Sequence, residues 1–103
     1  MARFVRVAKT DEIPEGSGKY FDVEGEPIAI FHVGDNFYAT SDICTHEEAS
    51  LSEGELEGEI VECAMHGARF NVRTGAVLAL PAVTRLQTFP VRVVGNDIEV
   101  EVE

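Results

Sequence analysis

The chain has 103 residues, 45% of them hydrophobic and 26% charged, with eight basic against nineteen acidic side chains and a formal charge of −11. That composition describes a single acidic domain over 1–103, with one modest core and no room for a second, catalytic domain. Excess negative charge repels a phosphate backbone and the cations are scattered, so no nucleic acid is expected as a partner, whereas a partner with a basic face is.

Residues 1–9 alternate apolar and charged side chains, as an edge strand does and a signal peptide does not. The longest uncharged stretches, such as 74–84, fall well short of the roughly 18 apolar residues of a membrane span. No membrane segment and a cytoplasmic location are therefore expected. From there Val, Ile, Phe and Tyr recur in short runs broken by Gly, Asn, Asp and Pro, which predicts an all-β chain of antiparallel sheets. Strands are predicted at 3–7, 19–23, 27–33, 37–41, 59–62, 69–71, 88–94 and 97–102. Gly34-Asp35-Asn36 and Gly95-Asn96-Asp97 read as hairpin turns. In the last strand Ile98, Val100 and Val102 alternate with Glu99, Glu101 and Glu103, which predicts one buried and one solvated acidic face. Phe21, Phe31, Phe37, Tyr38 and Phe89 lack basic neighbours and read as core. His32 has no cysteine nearby and reads as structural.

Two segments break the strand pattern: about 43–56 and about 63–70. They hold the only two cysteines, each followed closely by a histidine, as Cys44-Thr45-His46 and Cys63-Ala64-Met65-His66. Thiolate and imidazole are preferred ligands of zinc and iron, so Cys44, His46, Cys63 and His66 are the candidate metal ligands. A mononuclear zinc site usually pairs like ligands, which leaves a zinc-stabilised Cys2His2 binding module as one reading. One ligand of each kind on each loop suits a two-iron cluster better, with both thiolates on one iron and both imidazoles on the other. Glu53, Glu55, Glu57 and Glu59 read as a solvated face.

The CxH and CxxHG elements, Cys44-Thr45-His46 and Cys63-Ala64-Met65-His66-Gly67, with a later Pro81-Ala82 segment, resemble the Rieske [2Fe–2S] signature. The resemblance implies a Rieske fold, with antiparallel sheets and a two-loop cluster-binding subdomain covered by a loop near 79–84. It also implies one Rieske-type [2Fe–2S] cluster held by the four candidate ligands. Short members of that family resemble this chain and carry electrons from a flavin-dependent reductase to a terminal aromatic-ring dioxygenase. A small subunit of a nitrite reductase shares the fold and stands as an alternative. The expected state is a monomer exposing its tip, where Ala49, Leu51, Met65, Pro81 and Ala82 are candidate docking residues.

High-potential members of the family that the chain resembles carry Ser and Tyr hydroxyls beside the cluster, whereas this chain has Ala68 and Phe70. Missing donors disfavour the reduced cluster, and Glu47, Glu48, Glu53 and Glu55 act in the same direction. The expected midpoint potential is about −150 mV, at the low end of the Rieske range. A redox titration checks this, and a strongly positive midpoint contradicts it.

Overall fold

The computed structural model describes residues 3–43, 50–63, 67–79 and 84–102. It contains eleven strands, numbered in chain order as β1 (Arg3–Lys9), β2 (Gly18–Val23), β3 (Glu26–Val33), β4 (Asn36–Ser41), β5 (Glu55–Glu57), β6 (Ile60–Glu62), β7 (Arg69–Asn71), β8 (Val77–Ala79), β9 (Thr88–Phe89), β10 (Val91–Val94) and β11 (Asp97–Val102). Short 3-10 turns at Thr10–Glu12 and Leu51–Glu53 complete the described elements. All pairings are antiparallel, in three sheets ordered β1-β11-β10, β2-β3-β4-β9 and β5-β6-β7-β8. The predicted all-β class holds.

β3 organises the stack. Ile28, Ala29, Ile30 and Phe31 are all fully buried, although successive side chains of a strand point to opposite faces. Ile28 and Ile30 pack with Ala39, Ile98, Val100 and Val102 in a core shared with the β1-β11-β10 sheet. Ala29 and Phe31 pack with Leu51, Val61, Phe70, Val72 and Leu86 in a second core shared with the β5–β8 sheet. The middle sheet is thus a wall between a lower core, on the side of the β1-β11-β10 sheet, and an upper core, on the side of the β5–β8 sheet, which is why its central strand reads as a continuous apolar run. Along β11 the buried Ile98, Val100 and Val102 alternate with the half-buried Asp97, Glu99 and Glu101, as expected.

Three differences from the expected strands have physical causes. The 88–94 run is two strands in two sheets, because Pro90 has no N–H for a ladder and the chain changes sheet there. Glu55–Glu57, read as part of an aperiodic loop, pairs with β6 through a two-residue turn at Gly58 and Glu59. Only Leu56 marks its inward face, too little to reveal a period of two. Val77–Ala79 pairs with β7 through an irregular register and was likewise not expected. Both turns that were expected form, with Gly34 at φ 59° and Gly95 at φ 63° as the first turn residues. His32 behaves structurally: its Nδ1–H donates to the Ile13 carbonyl at 2.7 Å and its ring stacks on Phe37 at 4.1 Å. The aromatic residues Phe31, Phe21, Phe37, Tyr38 and Phe89 belong to the two cores.

Candidate metal centre

Of the four candidate ligands, Cys63 lies within the described residues; Cys44, His46 and His66 lie outside them. So do Glu47, Glu48, Ala49, Met65, Pro81 and Ala82. The structure describes how the segments that hold them are gripped.

Cys63 leaves the end of β6 and is 2% exposed, in the upper core beside Val61, Ala68 and Phe70. Its N–H donates to the Ala68 carbonyl at 2.7 Å, and its carbonyl accepts from the Gly67 N–H at 3.1 Å. That pair of bonds forms a closure between Cys63 and residues 67–68. Gly67 completes it at φ 76°, a backbone state that costs a residue with a Cβ about 1–2 kcal/mol. Ala68 and Phe70 are fully buried. Across the sheet, Arg69 Nε donates to Glu62 Oε1 at 3.0 Å, an exposed pair of small energetic weight.

The first segment, 44–49, is gripped at its neck. Ile43 and Ser50 form an isolated antiparallel bridge, and the Leu51 N–H donates to the Asp42 carbonyl at 2.7 Å. The Asp42 carboxylate, buried with its residue at 5% exposure, accepts from Ser50 Oγ at 2.6 Å and from the Ser52 N–H at 2.9 Å. Gly54 then passes against the backbone of β6. A Cβ built there would lie far inside contact with the Glu62 carbonyl oxygen, 3.1 Å from its carbon and 3.2 Å from the Leu51 carbonyl oxygen. The third segment, 80–83, is held on its far side by three bonds. Leu86 N–H donates to the Gly75 carbonyl at 2.8 Å, Arg85 Nη2 to the Thr74 carbonyl at 2.7 Å, and Ser41 N–H to the Gln87 carbonyl at 2.9 Å.

Three necks therefore stand along one end of the upper core, and the chain order places all four Cys and His donors at two of them. A thiol already buried at a closed, glycine-capped turn, together with a second Cys and two His, is a donor set that fits an iron–sulfur cluster. Among the described residues no group of three or more His, Cys, Asp or Glu side chains comes together as metal donors elsewhere. Sequence reading missed Asp42 and Gly54: a buried acid looks like any other in so acidic a chain, and a glycine needed for close approach looks like a turn residue. It also misplaced Leu51, which is fully buried in the upper core and cannot serve a docking partner. Ile43, at 45% exposure, and Leu78, at 49%, are the described large apolar side chains beside the necks.

The Rieske [2Fe-2S] domain model matches residues 3–90, from β1 to the proline that ends β9. The chain belongs to the Rieske [2Fe–2S] family. It carries one Rieske-type cluster, and the zinc module drops out as a reading of the donor set. It is 42% identical to the ferredoxin component of biphenyl 2,3-dioxygenase from Rhodococcus jostii over 95% of this chain and 92% of that protein. Among solved structures, the ferredoxin of carbazole 1,9a-dioxygenase from Nocardioides aromaticivorans superposes with a TM-score of 0.90 and 41% identity, over 94% of this chain and 95% of the other. A chain in a complex of reduced oxygenase and oxidized ferredoxin of carbazole 1,9a-dioxygenase gives a TM-score of 0.89 and 40% identity, covering 94% and 91%. Such Rieske ferredoxin components are electron carriers, not catalytic subunits, and this chain takes its place among them.

Gly54→Ala tests the backbone packing that supports the Cys63 turn. The added methyl meets backbone rather than a movable side chain, so the variant is expected to lose about 1–3 kcal/mol in chemical denaturation and to purify with less iron. Gly34→Ala, with open space and only a left-handed φ to strain it, is expected to lose about 1–2 kcal/mol with iron content unchanged.

Proposed function

We propose that Cys44, His46, Cys63 and His66 hold the cluster and that the protein passes single electrons from a flavin-dependent reductase to a terminal aromatic-ring dioxygenase. The observation that carries this reading is the 42% identity, across nearly the whole of both chains, to a protein named as the ferredoxin component of a biphenyl dioxygenase. The same level of identity favours a dioxygenase system over a nitrite reductase. When bound, the cluster supplies a reversible one-electron centre; the chain's own part is to hold the donors, exclude water and present the tip. The buried Cys63 thiol, packed in the upper core, would serve as a thiolate ligand. His46 and His66 would supply the imidazole ligands and the route for the electron.

The protein acts as a single domain over 1–103 and as a cytoplasmic monomer. Among the described residues no helix is long and apolar enough to cross a membrane. Docking centres on the tip: exposed Ile43 and Leu78 stand at the ends of the segments, and the sequence candidates Ala49, Met65, Pro81 and Ala82 fall within the segments. A contact of that kind gives the small, weak interface of redox encounters.

Iron, acid-labile sulfide and the EPR spectrum of dithionite-reduced protein test the ligand set. Wild type is expected to hold the two irons and two sulfides of the family's cluster, and Cys44→Ser, His46→Ala, Cys63→Ser and His66→Ala each to lose the reduced signal. A variant that keeps iron, sulfide and line shape removes its residue from the set. Leu78→Asp is expected to slow electron delivery to an oxygenase by about tenfold, the loss of one interface anchor, with the midpoint potential unchanged. Unchanged delivery would move docking away from this end.

A further inference from the structure

We propose that Asp42 is a positioning residue for the metal centre: its buried side chain sets the geometry of the loop that carries Cys44 and His46. The inference rests on the assignment of those two residues as ligands. Asp42 joins three pieces of chain. Its N–H donates to the Pro27 carbonyl at 2.9 Å, which fixes it to the start of β3, the strand shared by both cores. Its carbonyl accepts from the Leu51 N–H at 2.7 Å, on the far side of segment 44–49. Its side chain reaches the same far side twice, with Oδ2 accepting from Ser50 Oγ at 2.6 Å and Oδ1 from the Ser52 N–H at 2.9 Å. Ser50 Oγ and Ser52 Oγ lie 2.9 Å apart, and Ser41 Oγ accepts from the Ile43 N–H at 3.3 Å, so the neck is bonded on every side.

A carboxylate in a site only 5% exposed is costly to bury, and a merely structural strand end would be served by an apolar side chain. What the carboxylate adds is two acceptors on one rigid fork, aimed at residues 50 and 52. Both ends of segment 44–49 are thereby fixed to one another. Otherwise that segment leaves the fold through a single isolated bridge, Ile43 with Ser50, and one backbone bond. Two ligands must meet a cluster whose other two ligands stand on a separate turn, so relative placement of the loop ends becomes a condition for binding. An amide at position 42 would turn one acceptor into a donor. Ser50 Oγ would then have to accept from it and give its own proton to Ser52 Oγ. The neck would persist with two neutral bonds in place of two charge-assisted ones.

The test uses purified holoprotein and follows bleaching of the visible absorbance by an iron chelator, alongside the reduced EPR spectrum and thermal unfolding. Asp42→Ala is expected to bleach roughly tenfold faster than wild type with a broadened EPR line, the scale seen when a group supporting metal ligands is removed. Asp42→Asn should fall between the two. Val100→Ala, which opens the lower core away from the site, should lower the unfolding temperature while bleaching rate and line shape stay at wild type. Wild-type bleaching and line shape in Asp42→Ala would overturn the proposal, as would equally fast bleaching in Val100→Ala. If Asp42→Ala does not accumulate as folded protein, Asp42→Asn and Ser50→Ala are judged by the same comparison with Val100→Ala. Cys44→Ser and His46→Ala run beside them. Full iron and sulfide in either would overturn the ligand assignment and the clamp with it, whereas failure confined to the Asp42 and Ser50 variants would overturn the clamp alone.

Discussion

Burial of β3 on both faces is the constraint on which the molecule depends. A strand with one apolar face needs one partner layer, whereas Ile28 and Ile30 on one side and Ala29 and Phe31 on the other require two. The β1-β11-β10 sheet covers the first pair and the β5–β8 sheet the second. A chain this short can fill two cores only by making both thin, so each buried methyl counts toward a small net stability. The metal centre inherits its rigidity from that wall. Asp42 is bonded to the start of β3, and Cys63 packs in the core that Phe31 helps to fill.

Function follows from what is done at the open end of the upper core. Strand pairing ends there, and loops replace it, each closed at its root by backbone bonds and by a glycine or a buried acid. The arrangement separates two tasks. The sheets provide a stiff frame, and the segments rooted in it carry the candidate cysteine and histidine ligands. The chain's high negative charge is spread over the whole molecule: β11, the turn at Asp11 and Glu12 and the β5–β6 hairpin all contribute. Salt-dependent steering will thus reflect the overall charge as much as any one patch.

Much of this was legible in the residues. The alternation in β11, the continuous apolar run of β3 and the glycine turns at 34 and 95 carry their own geometry. The Cys and His spacing carried the chemistry of the family, because few structures need those four residue types in that order. What stayed hidden were contacts between distant segments. Gly54 is required by the Glu62 carbonyl, which no local pattern announces. Asp42 is the buried acid among the described residues, and eighteen further acids in the chain conceal it. Leu51 sits in a polar stretch yet fills the core, and Val77–Ala79 becomes a strand only because β7 offers an edge. Local propensity is silent on each of these, since tertiary packing decides them.

The pairing of Arg3 with Val102 joins the first described residue to the last. By contrast, β5 to β8 form a meander whose neighbours in space are neighbours in sequence. Loop-closure entropy therefore falls very unevenly on the three sheets, lightly on the meander and most heavily on the β1-β11-β10 sheet. During synthesis the ribosome delivers the meander and both segments with the candidate ligands before β11 exists. The closing of β11 onto β1 is thus the step that completes the lower core.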